Sequence, residues 1–117
     1  MRHRKQGKKF NRKTGRRRSF LRNLVNDVIV KGKIHTTVIR AKAIKPIIER
    51  AVTIAKKETL ASRRILFSRL QNKASVEKLM REWGPKYAKR NGGYLRIVKE
   101  SKTRKRDSAP TAVIEFV

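Results

Sequence analysis

Ten of the first eighteen residues are Lys or Arg, and no Asp or Glu occurs before Asp27. Side chains of these two types at such density do one kind of chemistry, the holding of oxyanions. Arginine grips two phosphate oxygens at once through a planar fork, and lysine acts as a point charge. Arg2, His3, Arg4, Lys5, Lys8, Lys9 and Arg12, followed by Arg16, Arg17 and Arg18, are therefore the candidate ligands for a polyanion. A charge run is ordinarily a solvated face, but a run with no acid to neutralise it reverses that expectation. Apart from Phe10 the segment offers almost nothing apolar to offset the entropy of ordering, so residues 1–13 are expected to form an extended arm that takes shape only on a partner. Phe10 itself has two open fates: to wedge into that partner or to fold back on the first helix.

The rest of the chain is poorly supplied for catalysis. Its eight acids are scattered singly, and His3 and His35 lie on different elements with no evident carboxylate partner, whereas acid–base work and metal binding need clustered, positioned groups. His35 reads as a strand histidine facing phosphate or solvent. Gly7, Gly15 and Gly92-Gly93 form neither phosphate-binding fingerprint, so a nucleotide-dependent enzyme is disfavoured and no cofactor or metal is expected. With no cysteine, disulfides and thiolate zinc sites are excluded. No apolar run approaches the roughly twenty residues of a membrane span. The arm shares the Arg-rich, acid-poor make-up of an organellar transit peptide but lacks its serine and its amphipathic period. A formal charge of +26 favours nucleic acid, an anionic membrane or an acidic protein without choosing among them.

The elements that must position these cations follow from periodicity. At 117 residues there is room for one domain, expected over residues 14–117. The pairs Phe20-Leu21, Leu24-Val25 and Val28-Ile29 recur at helical spacing and predict a first helix over Thr14 to Lys31, capped by Thr14 and closed by Gly32, with Arg16, Arg17, Arg22 and Asn23 on its opposite face. Lys33 to Val38 alternates as a short strand, and Thr37 can cap a second helix running to about Lys57, with a kink or break expected near Lys45 because of Pro46. A third helix is predicted over Thr59 to Leu70, with Arg63, Arg64 and Arg69 outward. A fourth begins at Ser75, where Glu77 suits the helix dipole, and stops at Trp83 because Gly84-Pro85 cannot continue it. Tyr94 to Lys99 and Thr111 to Val117 read as strands. The link between them, Glu100 to Pro110, is too long for a tight hairpin and is basic enough to face solvent or RNA. Phe20, Phe67, Trp83, Tyr87, Tyr94 and Phe116 fall among apolar neighbours and are assigned to the core rather than to base stacking. Few and dispersed strands among helices make an α+β domain.

Certain blocks, taken in order, carry a resemblance. Met1-Arg2-His3-Arg4-Lys5 with Gly7, Asn11-Arg12, Leu21-Arg22-Asn23-Leu24, Ile34-His35-Thr36-Thr37, Arg40-Ala41-Lys42, Arg63-Arg64, Gly84-Pro85, Gly92-Gly93-Tyr94 with Arg96-Ile97, and Asp107-Ser108-Ala109-Pro110 span nearly the whole chain. Together they resemble the bacterial-type large-subunit ribosomal protein seventeen family. That resemblance implies an α+β domain with a small three-stranded mixed sheet packed with about four helices, preceded by an extended basic arm buried in ribosomal RNA. It implies a structural, non-catalytic place on the large subunit near the peptide exit tunnel, with large-subunit ribosomal RNA and neighbouring ribosomal proteins as partners. The location implied is cytoplasmic and ribosome-bound, or the matrix or stroma of an organelle. By position, RNA contacts are expected at Arg2, His3, Arg4, Lys5, Arg12, Arg17 and Arg22, at Thr36, Thr37, Arg40 and Lys42, at Arg63 and Arg64, and at Arg96. The chain departs from the family pattern at Arg16, Asn91 and Arg106, where histidine, alanine and glycine are usual. A chromatin-like DNA-binding protein and a membrane-active cationic peptide are the competing readings of the same charge.

Overall fold

The computed structural model describes residue 3 and residues 7–117. The first helix, α1 (Thr14–Lys31), ends where the periodicity stops. Gly32 sits at φ 83°, a left-handed conformation that suits glycine, and its N–H returns to the Val28 carbonyl. The cap position is Lys13 rather than Thr14: Lys13 is extended, provides no side-chain cap, and its carbonyl accepts the Arg17 N–H at 2.8 Å. β1 (Lys33–Thr37) then passes into α2 (Val38–Ala55) without a loop, the Thr37 hydroxyl accepting the Arg40 N–H at 3.4 Å.

α2 runs unbroken through Pro46. The bond that proline cannot donate would reach the carbonyl of Lys42, and both residues lie on the exposed side, where solvent replaces it. On the other side Ala41, Ile44, Ile48, Val52 and Ala55 are sealed into the core along both halves of the helix. α3 (Leu60–Leu70) is capped by Thr59, which accepts the Ser62 N–H, and buries Leu66 and Leu70 against α2.

The next helix does not stop at Trp83. α4 (Lys73–Lys78), capped by Asn72, continues through a π-helical turn (Leu79–Trp83) into α5 (Gly84–Lys86). Gly84 is helical at φ −58°, and its N–H reaches the Leu79 carbonyl five residues back. A Cβ at this position would lie 3.0 Å from the Leu79 oxygen and 3.1 Å from the Ala55 oxygen, so the glycine marks close packing on the end of α2 instead of a helix end. The wide turn places Trp83 where its indole N–H donates to the Ile29 carbonyl at 2.9 Å and its ring stacks on Phe116, with centroids 3.9 Å apart.

The sheet has the order β1-β3-β2, with β2 (Leu95–Thr103) and β3 (Pro110–Phe116). The α+β class holds, but the sheet is antiparallel throughout rather than mixed. β1 and β2 each run against β3, and though they point the same way they are never neighbours. β2 also extends four residues beyond Lys99, because Thr103 pairs with Pro110 across a bulge and Thr111 donates to the Lys102 carbonyl at 2.8 Å. The presumed long loop thus shrinks to a turn at its tip, where Ser108 N–H bonds to the Arg104 carbonyl. Ala112, Ile114 and Phe116 of β3 face the helices, and Val28, Ile29, Ile44, Ile48 and Leu79 complete the core.

Candidate nucleic-acid interface

Helix N-termini carry unsatisfied N–H groups and partial positive charge, which natural helices commonly offset with acids. Here α1, α2, α3 and α4 all lack an acid in the first turn. Glu77 falls too late to serve, since α4 starts two residues before Ser75. The start of α2 goes furthest: the third residue after the Thr37 cap is Arg40, in the place where a capping box would carry glutamate.

Two more guanidiniums meet Arg40 there. Arg12 lies 3.8 Å over the face of the Phe20 ring and the Arg40 guanidinium 5.0 Å from the same ring, so one aromatic of α1 supports both. Arg12 is held further by a bond to the Phe10 carbonyl at 3.1 Å, and Phe10 packs edge-on against Phe20 with centroids 5.5 Å apart. Of the two fates open to Phe10, the molecule takes the fold-back on the first helix. Arg104 comes from the tip of the β2–β3 turn and is gripped by Asp107 through two bonds, of 3.1 and 2.5 Å. That grip, with a further bond from the Ala109 N–H, holds the Asp107 carboxyl below its ordinary pKa. Half-burial, and after it the charges of Arg104 and Arg12, lower the pKa of Arg40, so these three cations raise one another's free energy. Two adjoining pockets open on the cluster. One is lined by Thr36, Thr37, Arg40, Lys102 and Arg104 together with the paired His35 and Glu100, the other by Phe10, Arg12, Ile39 and Arg40.

Of the expected contact residues, Arg12, Thr36, Thr37 and Arg40 are brought together in this way. Arg2, Arg4 and Lys5 lie outside the described residues. His3, Lys8, Lys9, Arg16, Arg18 and Lys42 are exposed, and Arg17 reaches back to the Arg12 carbonyl at 3.4 Å. Arg22 bonds Gln71 Oε1 at 2.9 Å. Arg63 and Arg64 sit apart on α3, with Arg63 in an ion pair with Glu77 and Arg64 exposed. Arg96 pairs with Glu115 at 2.7 Å on the outer face of the sheet. Lys102, Arg104 and Thr111 are additions that sequence reasoning did not single out. The basic run Lys102 to Arg106 was the available signal, but only the strand extension brings it over α2.

Two expectations about side chains are overturned. His35 does have a carboxylate neighbour, Glu100 Oε1 at 2.9 Å from Nδ1, reached because the bulged β2 turns Glu100 toward β1. Phe67 is not core: it is 52% exposed on the outer side of α3. Among the described residues, no group of three or more His, Cys, Asp or Glu stands close enough to hold a metal ion.

The family model for Ribosomal protein L17 matches residues 20–117. The chain is 48% identical over 118 positions to the large ribosomal subunit protein bL17 of Persephonella marina, covering all of this chain and 95% of that protein. It is 46% identical to the protein of the same name from Fusobacterium nucleatum, with both chains covered in full. Against the one from Orientia tsutsugamushi it is 45% identical, covering all of this chain and 80% of the other.

Proposed function

Because the chain belongs to the Ribosomal protein L17 family, we propose that this structural constituent of the large ribosomal subunit acts by binding and bracing large-subunit ribosomal RNA, near the peptide exit tunnel and beside neighbouring ribosomal proteins. It works in the cytoplasm, bound to the ribosome, and catalyses nothing. Residues 1–13 are the RNA-binding arm and residues 14–117 the folded unit that docks it.

The observation that carries this reading is the convergence of Arg12, Arg40 and Arg104 at the positive end of α2, where only Arg104 has a carboxylate partner among the described residues. Such an arrangement opposes folding, and a phosphate seated among the three would reverse its sign. The Thr36 and Thr37 side chains and the first N–H groups of α2 supply neutral donors at the same place. Cations further along the arm and α1 then track the backbone, which secures affinity and register without reading bases.

The test is a salt titration of the full chain on large-subunit ribosomal RNA, with duplex DNA at matched salt as competitor. If about seven to ten cations neutralise phosphates, log affinity falls against log salt with a slope of roughly −5 to −9. A slope near about −2 would remove the arm as principal contact. Equal affinity for duplex DNA would favour the chromatin-like reading instead.

A further inference from the structure

Where α1, α2 and α3 meet, two adjoining pockets that share Ile47, Arg69 and Leu70 form a groove whose make-up differs from the pocket at the start of α2. Its floor is aliphatic, formed by Leu21, Ile47 and Leu70. Its rim is arginine from all three helices: Arg18 and Arg22 of α1, Arg50 of α2 and Arg69 of α3. No residue lining it is acidic, and among the described residues none of these arginines enters an ion pair. Arg22 is held by its bond to Oε1 of Gln71, the residue that closes α3.

An acid-free ring of guanidiniums round an apolar floor complements a ligand that is flat and apolar in the middle and anionic at its edges. An unpaired nucleotide has that form: its base face covers aliphatic side chains while the phosphates on either side meet arginine forks. We propose that this groove receives an unstacked nucleotide of single-stranded RNA, with its base over Leu21 and Ile47 and its flanking phosphates on Arg18, Arg22, Arg50 and Arg69. The inference rests on the RNA-binding reading above and adds a second, chemically distinct contact to it. An acidic peptide would satisfy the same charges. RNA is favoured by continuity, since Arg16-Arg17-Arg18 carries the acid-free stretch of the arm directly to the rim.

Two isoleucines report on the two sites separately, Ile39 beside the Arg12–Arg40–Arg104 cluster and Ile47 in the groove floor. Methyl NMR of the full chain, titrated with a short oligouridylate and separately with a Glu/Leu peptide, decides among the occupants. Upfield, saturable movement of the Ile47 methyl with the oligonucleotide and none with the peptide is the expected result. Movement of Ile39 alone overturns the groove while leaving the RNA-binding reading intact. Movement of Ile47 with the peptide alone assigns the groove to a protein and likewise overturns it, and silence of both methyls toward oligonucleotide overturns the parent reading too. The exposed double variant Arg50→Glu/Arg69→Glu should keep its circular dichroism and lower the salt slope for the oligonucleotide by about one per arginine. An unchanged slope in that folded variant counts against the proposal.

Discussion

The face formed by the arm, α1 and the start of α2 and the face formed by α4 and the outer side of the sheet treat their cations in opposite ways. On the second side, carboxylates are matched to cations: Arg81 of the wide turn shares Glu77 with Arg63 of α3, Lys78 meets Glu82 and Arg96 meets Glu115. On the first side, Arg12 and Arg40 share a phenylalanine and no acid, and α1 carries Arg16, Arg17, Arg18 and Arg22 with Asp27 as its single carboxylate. Exposed ion pairs contribute little to stability, so the matched side owes its fold to its core and not to its charges. The unmatched side is the informative one, because like charges held together without counter-charge weaken a free protein and strengthen it against a polyanion.

That contrast can be broken most severely by removing residues 1–13. The truncated chain should retain its helical circular dichroism and lose about five units of salt slope on ribosomal RNA, in keeping with the seven Lys and Arg it gives up. Lost helix on truncation would show the arm to be part of the fold. Next, Gly84→Ala should lower stability by about 1–3 kcal/mol in a thermal melt, because the new methyl meets two carbonyl oxygens. RNA affinity of the folded fraction should be untouched, as the site lies on the matched side. Third, Arg40→Glu should separate the two quantities in the other direction. It completes a Thr37-x-x-Glu capping box at the start of α2 and relieves the repulsion, raising stability by about 0.3–1 kcal/mol while weakening RNA binding and reducing the salt slope by more than about one. A variant that binds RNA as well as the parent would sink the assignment of this site.

The smallest effect concerns the turn that aims Arg104. The Asp107 pKa is lowered in the folded chain, so its contribution is present above the ordinary carboxylate range and is lost as pH falls through the depressed value. Protection of the Ala109 amide from hydrogen exchange should therefore persist through mild acid and vanish only below that range, and Asp107→Asn should weaken it wherever the wild-type carboxylate is ionised.

Much of this architecture was legible beforehand where a local rule and the tertiary packing agree. Gly32, Thr37 and Thr59 mark helix boundaries because each satisfies orphan backbone groups whatever lies around it. The alternation of Ala112, Ile114 and Phe116 places β3 correctly because its helix-facing side is buried. Local rules mislead where packing overrides them. Gly84-Pro85 looks like a stop, yet a wider helical turn and the need to approach Ala55 carry the chain through it. Glu100 to Thr103 looks like loop because its polar residues have no periodic signal, yet pairing with β3 makes it strand. The same limit governs the candidate site. Arm cations, Thr37 and Arg40 are visible in one dimension, whereas Arg104 and Arg69 gain their meaning from neighbours distant in sequence.

The π-helical turn before Gly84 has a consequence for how this chain tolerates length changes. The wide turn holds one residue more than an ordinary turn, so deleting one residue between Leu79 and Trp83 would restore ordinary winding and leave the indole near its present bearing. A deletion from the regular winding of α4 ahead of it would instead turn Trp83 by about 100° around the axis, away from both Ile29 and Phe116, unfastening the end of α1 and the last strand together. The turn acts as a phase adjuster, and α4 should be far less forgiving of a one-residue deletion than the wide turn itself.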